Sequence, residues 1–192
     1  MLDEPWVKFS IQYFHQCFHQ QRLAKSLSGS DCSGDKCVES CEEGWEENGD
    51  HCYFWSNDKK SWTDAEDFCQ KEGGHLASVA STATHQYVVE GVKSRDLDDA
   101  WLGGNDFEEE AAWKWTDCAA WEVEFWITKW GQPNGGTNAN CLAFQWDRNS
   151  DTVGWNDYIC HQNQAPFVCS KRICTGKHYQ RHALLSKQCM YP

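Results

Sequence analysis

The sequence predicts a disulfide-stapled α+β domain, and three observations carry that prediction. Twelve cysteines stand in 192 residues. That is an even number, and more than a cytosolic chain of this size ordinarily carries, so it implies a bridge framework formed in an oxidising compartment. Twelve tryptophans supply the bulk of a packed core. Two stretches with helical period and capping signals lie among short apolar runs bounded by glycine and turn residues, a pattern that mixes helix with strand.

The elements follow in order. Gly44-Trp45 and Cys52-Tyr53-Phe54-Trp55 read as two strands of a hairpin, with Cys41 and Cys52 placed to staple it. Ser61 is an N-cap with Asp64 three residues on; Trp62, Ala65, Phe68 and Cys69 then trace a helical face, and Gly73-Gly74 stops it. His75 to Val79 is a short strand. Ser81 caps a second helix through Tyr87, Val88 and Val92. Trp101-Leu102-Gly103-Gly104 is a strand ending in glycines. From Asp106 to Thr137 no period is sustained while tryptophans recur, so this is a long aromatic-pinned loop, the kind of segment that carries function. Strands resume at Leu142 to Trp146, Gly154 to Cys160 and Pro166 to Cys169.

Length and composition give one folded body, 41–170, between an N-terminal extension, 1–40, and a C-terminal tail, 171–192. Within the extension, Phe9 to Leu27 has a loose helical face, and residues 28–35 read as a linker. His15 and His19, like His178 and His182, are four apart. No third ligand of suitable spacing accompanies either pair beyond Cys17, so neither is assigned as a metal site.

The formal charge is −12, and it is unevenly placed. Cys41 to Cys169 holds 24 Asp and Glu against 8 Lys and Arg, whereas the residues after Cys169 hold 5 basic residues and no acid. A body this acidic repels phosphate backbones and excludes nucleic acid as a partner. No apolar run reaches the roughly 18–20 residues of a membrane span, so membrane insertion is excluded. Met1-Leu2-Asp3-Glu4-Pro5-Trp6 has no basic and then apolar stretch, so no signal peptide is visible; the cysteines nonetheless point to a secreted, extracellular protein. No nucleophile elbow, zinc motif or phosphate loop occurs, so the chain is not expected to be an enzyme.

An ordered set of motifs then narrows the fold. The Cys41/Cys52 pair, the helix with Cys69, Trp101-Leu102-Gly103-Gly104 and Trp113-Lys114-Trp115-Thr116-Asp117 come first. Gln132-Pro133-Asn134, Cys141, Trp155-Asn156-Asp157, Cys160 and Cys169 follow. Together they make the stretch from Cys41 to Cys169, about two-thirds of the chain, resemble the C-type lectin-like domain in its long form. The resemblance implies two helices, a lower antiparallel sheet, a small upper sheet and a long loop region that carries binding. It implies bridges Cys41–Cys52, Cys69–Cys169 and Cys141–Cys160. Cys17, Cys32, Cys37, Cys118, Cys174 and Cys189 remain. Cys32–Cys37 is a local pairing; Cys118–Cys174 with Cys17–Cys189, or Cys174–Cys189, are open alternatives, as is a disulfide-linked oligomer.

In sugar-binding members of that family a Ca²⁺ at the loop tip bridges protein and sugar hydroxyls. The resemblance puts Gln132, Asn134, Asn156 and Asp157 at ligand positions, with Pro133, often preceded by a cis peptide in the family, aiming Gln132 and Asn134 at one point. The remaining ligand, usually Glu two residues before the third family cysteine, is Ala139 here. One carboxylate, Asp157, then stands among four candidates. Ca²⁺ affinity follows ligand charge, so weak Ca²⁺ binding is expected. Asp106 and Glu110 match a second family Ca²⁺ site, but Gly135 and Asn140 fall where it needs acids; Glu108 to Glu110 read as a solvated acidic turn. Asn134 matches the mannose/glucose/fucose type. The expected function is therefore carbohydrate binding, with glycans or glycoproteins as partners. The rival is a calcium-independent protein-binding module of the same fold that uses Trp121, Trp126 and the acidic loop.

Overall fold

The computed structural model describes residues 37–174, and the extension's helix and linker and the histidine pairs of the extension and the tail lie outside these residues. Among the described residues there are eight strands and two helices. They are β1 (Glu46–Asn48), β2 (His51–Lys60), α1 (Trp62–Lys71), β3 (His75–Leu76), α2 (Thr82–Ser94), β4 (Asp99–Asn105), β5 (Lys114–Trp115), β6 (Cys141–Asp147), β7 (Thr152–Tyr158) and β8 (Ala165–Arg172). Pairing runs β1-β2-β8-β4-β6-β7, with β3 on β8 and β5 on β4. The antiparallel ladders are joined by one parallel bridge between β4 and β8, at Trp101 and Phe167.

The helices start where their caps predict. Ser61 Oγ accepts from the Asp64 amide at 3.2 Å and donates to the Asp64 carboxylate at 2.6 Å. Ser81 Oγ accepts from the Thr84 amide at 3.1 Å. Each cap satisfies an amide that helix geometry leaves without a partner.

The central strands read as nearly continuous apolar runs because both of their faces are covered. Alternate residues point to opposite faces. On β4, Ala100 and Leu102 join one core group while Trp101 joins the other; on β6, Leu142 and Phe144 part from Cys141 and Ala143; on β8, Val168 parts from Phe167 and Cys169. The first group receives Val88 and Val92 of α2 together with Trp115 and Trp155. The second receives Trp62, Ala65 and Cys69 of α1. Two indoles tie the layers to backbone: Trp62 Nε1 donates to Leu102 O and Trp101 Nε1 to Lys60 O, both at 2.8 Å.

Three disulfides join described residues: Cys41–Cys52, Cys69–Cys169 and Cys141–Cys160. Cys69–Cys169 ties α1 to β8 across 100 residues. In the chain-entropy account a loop of that length is worth on the order of 4–5 kcal/mol. Cys37, Cys118 and Cys174 are also disulfide-bonded.

Helix α2 meets β2 through Tyr87, which packs on Tyr53 and Trp55, and through one small residue, Gly91. A Cβ built on Gly91 would stand 2.1 Å from the Trp55 ring, closer than any real contact, and the Arg95 guanidinium lies over that ring at 4.4 Å. Gly91→Ala should therefore push α2 from β2 and lower stability by about 1–3 kcal/mol, read as a lower urea midpoint with an unchanged slope.

Candidate functional site

The long loop runs from Asp106 to Asn140, and its two ends meet: the Asp106 amide donates to Asn140 O at 3.4 Å. Strand β5 pins its first third by pairing with Gly104 and Asn105 of β4. Its middle lies along β7. Trp155 N donates to Phe125 O at 2.7 Å and Ile127 N donates to Trp155 O at 3.0 Å. A 3₁₀ turn over Thr128–Trp130, the cis Gln132–Pro133 peptide and a second turn over Gly136–Asn138 then lead back to β6.

Trp121 and Trp126, which the protein-binding alternative would place at a partner's surface, are half-buried, with part of each ring packed on the core. The Trp121 ring lies 4.6 Å from Trp115 and 5.3 Å from Trp155. Trp126 lies 4.9 Å from Trp113 and 5.7 Å from Trp155. Both pack against the α2-side core, where aromatic area contributes most. They floor the loop.

Of the residues assigned to a site from sequence, Asp157 is buried at the end of β7, opposite Leu142. Its Oδ1 accepts from the Asn134 amide at 3.1 Å, and its Oδ2 from the Gly135 amide at 2.6 Å. The carboxylate thus grips the backbone of the loop tip directly. Asn134 is exposed, and its side-chain amide donates to Trp130 O at 3.0 Å. Asn156 is buried; its Nδ2 donates to Gln145 Oε1 at 2.6 Å, while its Oδ1 is buried with no hydrogen-bond partner. Gln132 Oε1 is likewise buried and unpartnered.

Ala139 is buried, and the turn sits on it. A Cβ on Gly135 would stand 2.2 Å from the Ala139 methyl and 3.1 Å from Asp157 Oδ2. Glycine is what lets the loop close to this distance. Toward the second site the resemblance implied, Asp106 is buried, its Oδ2 accepts from the Ala111 amide at 2.9 Å, and Asp106 Oδ1 and Asn140 Oδ1 are buried without partners. Glu108, Glu109 and Glu110 are exposed, with Glu108 paired to Lys114 at 2.5 Å.

Among the described residues no three His, Cys, Asp or Glu side chains gather as a metal cluster. Of Gln132, Asn134, Asn156 and Asp157, Asp157 alone carries a charge. Two neutral oxygens, of Gln132 and Asn156, are buried and lack donors. Each Asp157 oxygen accepts one amide and keeps a second lone-pair direction. These oxygens would hold Ca²⁺, or accept from hydroxyl groups, with one formal charge among them.

Gln145 was not singled out in the sequence. Its signal is the β6–β7 register: Asn156 lies opposite Ala143, so Gln145 is its diagonal neighbour on the same face, within reach of a long side chain. His85 was also not singled out. Its ring stacks on Phe125, centroids 3.7 Å apart and planes 6° from parallel, beside Phe144 and Trp155. Its Nδ1 is buried without a partner. Burial among these rings holds its pKa down to about 4.

The Lectin C-type domain family model matches residues 58–171. A lectin of Pleurodeles waltl is 35% identical over 140 residues, covering 70% of this chain and 78% of that protein. The C-type lectin domain of murine dendritic cell inhibitory receptor 2, solved in complex with N-glycan, superposes with a TM-score of 0.61 at 26% identity, over 69% of this chain and 99% of that one. A calcium-independent type II antifreeze protein superposes with a TM-score of 0.60 at 26% identity, over 70% of this chain and 96% of that one.

His85 gives the loop a pH dependence. Its folded pKa lies below the ordinary 6.5, so between about pH 6.5 and 4 the unfolded chain binds the extra proton and stability falls as pH falls. Above 6.5 the contribution is complete. His85→Phe should flatten that portion of the curve, so urea midpoints of the variant and the parent should diverge between pH 7 and pH 5. Parallel curves would show that the stacked imidazole has no part in it.

Proposed function

This chain belongs to the C-type lectin domain family and is a binding module, not an enzyme, and from that membership we propose that it binds carbohydrate at the loop tip through Gln132, Asn134, Asn156 and Asp157. The observation that carries the proposal is the pair of buried oxygens without donors, Gln132 Oε1 and Asn156 Oδ1. A buried acceptor left empty is costly. Sugar hydroxyls, or a cation that in turn holds them, would satisfy both. A hydroxyl in the wrong orientation would leave one unpaired, and that is a source of specificity. The Asn134 position favours the mannose/glucose/fucose class.

Calcium is the group this family uses, and in this site it would supply a Lewis-acidic centre for two neighbouring hydroxyls. Gln132, Asn156 and Asp157 would hold it, with affinity on the order of millimolar or weaker, like the weakest extracellular modules. The chain's own part is to fix these oxygens before any ligand arrives. Gln145 sets the orientation of the Asn156 amide, and Asp157 sets the backbone at Asn134 and Gly135. The bridges, like the cysteine count, fit a secreted protein.

A second reading is supported by the same carboxylate. Asp157 holds the tip by hydrogen bonds to backbone, so the loop has a fixed shape without an ion. A calcium-independent module of this fold, of which the antifreeze relative is named an example, would need that.

Calorimetric titration of Ca²⁺, followed by retention on mannose-agarose with and without EDTA, separates the two. Weak Ca²⁺ heat with EDTA-sensitive retention is expected, and Asp157→Ala should abolish that retention. Ala139→Glu should tighten Ca²⁺ by about tenfold, because added ligand charge moves such affinities by decades. No Ca²⁺ heat at several times the expected Kd, with no EDTA-sensitive retention, sinks the calcium mechanism.

A further inference from the structure

Asn134 is followed by Gly135 at the tip of the loop, and this dipeptide has a chemistry of its own. The amide nitrogen after an asparagine can attack the side-chain carboxamide carbon. Glycine offers that nitrogen with no side chain in the way. A bond forms from the Gly135 nitrogen to Asn134 Cγ, the Cγ–Nδ2 bond breaks, and ammonia leaves with the proton that the Gly135 nitrogen gives up. Water then opens the succinimide at either carbonyl, leaving aspartate or isoaspartate at 134.

Three hydrogen bonds oppose this reaction in the folded chain. The attacking nitrogen's proton is held on Asp157 Oδ2 at 2.6 Å, in the range of a short charge-assisted bond. The negative carboxylate also disfavours the charge that builds on this nitrogen as its proton leaves. The Asn134 amide is held by Asp157 Oδ1 at 3.1 Å, and the leaving nitrogen, Nδ2, by Trp130 O at 3.0 Å. The carboxamide is tied to one side of the loop and the nucleophile to the other. Exposure does not protect the residue, since Asn134 is open to solvent.

We propose that Asn134–Gly135 is a spontaneous deamidation site that Asp157 keeps shut, so that any event releasing the Asp157 grip opens this residue to conversion. The product differs chemically from the parent site. Aspartate at 134 places a second carboxylate beside Asp157; isoaspartate instead lengthens the backbone by one carbon within the turn. The proposal stands on the hydrogen bonds around Gly135 and does not require that the tip bind sugar or calcium.

The test is an ageing experiment in mildly alkaline buffer without ligand or metal, followed by peptide mapping of Asn134 conversion and isoaspartate. The parent is compared with itself in urea and with Asp157→Ala and Asp157→Asn. The conversion of Asn48–Gly49, at the turn between β1 and β2, is read in the same digests as a monitor of general opening. A charge-assisted hydrogen bond corresponds to a factor on the order of ten to a hundred in rate. Native parent should therefore convert Asn134 at least about tenfold more slowly than the urea-unfolded chain. Asp157→Ala should recover most of that factor at Asn134 while leaving Asn48 unchanged. Conversion of native parent at the unfolded rate, or an Asp157→Ala rate equal to the parent's, overturns the proposal. If Asp157→Ala speeds both asparagines together, the alanine variant has opened the whole domain and Asp157→Asn decides. Faster conversion at Asn134 alone supports the grip; an unchanged rate there overturns it.

Discussion

The long loop depends on strand β7. From Asp106 to Asn140 the chain has two residues of strand and two single turns, so most of its backbone polar groups find no partner in regular structure of their own. Buried groups of that kind must be satisfied somewhere. Two β7 residues do much of this. Trp155 exchanges backbone hydrogen bonds with Phe125 and Ile127. Asp157 takes the amides of Asn134 and Gly135. One strand therefore anchors the middle of the loop by its backbone and the tip by a side chain, and the aromatic floor of Trp115, Trp121 and Trp126 packs around the same Trp155.

That dependence explains which features were legible in the sequence. The helices were, because Ser61 and Ser81 act locally, within three residues of the amides they cap. The central strands were, because their composition reports two covered faces rather than one. Strand limits shifted: β1 begins at Glu46 rather than Gly44, β2 runs on to Lys60 rather than Trp55, β3 ends at Leu76 rather than Val79, β7 ends at Tyr158 rather than Cys160, and β8 runs on to Arg172 rather than Cys169. These are places where hydrogen bonding, and not hydrophobicity, sets the end.

The contacts that the candidate site residues make were not legible in the sequence. Composition places 24 acids on the body, yet Asp157 is the one carboxylate at the tip that meets the loop backbone. The Asn156–Gln145 bond needs the β6–β7 register, and the His85–Phe125 stack joins a helix to a loop 40 residues away; neither separation leaves a local pattern. Trp121 and Trp126 show the same limit from the other direction. A tryptophan in an irregular segment reads equally as floor or as contact surface, and only tertiary packing assigns these two to the floor.

Under the proposed function Asp157 has two tasks that compete. Here the amides of Asn134 and Gly135 already draw on the single charge, which stabilises the tip without an ion and leaves less of that charge for one. The buried methyl of Ala139 beneath Gly135 completes the same arrangement, because an apolar contact fills the place where another ligand would compete for Asp157. A loop tip that keeps its shape through a side chain is the consequence of this geometry. The neutral oxygens of Gln132 and Asn156 are buried without hydrogen-bond partners, and under the proposed function a hydroxyl donor or a coordinated cation would satisfy them.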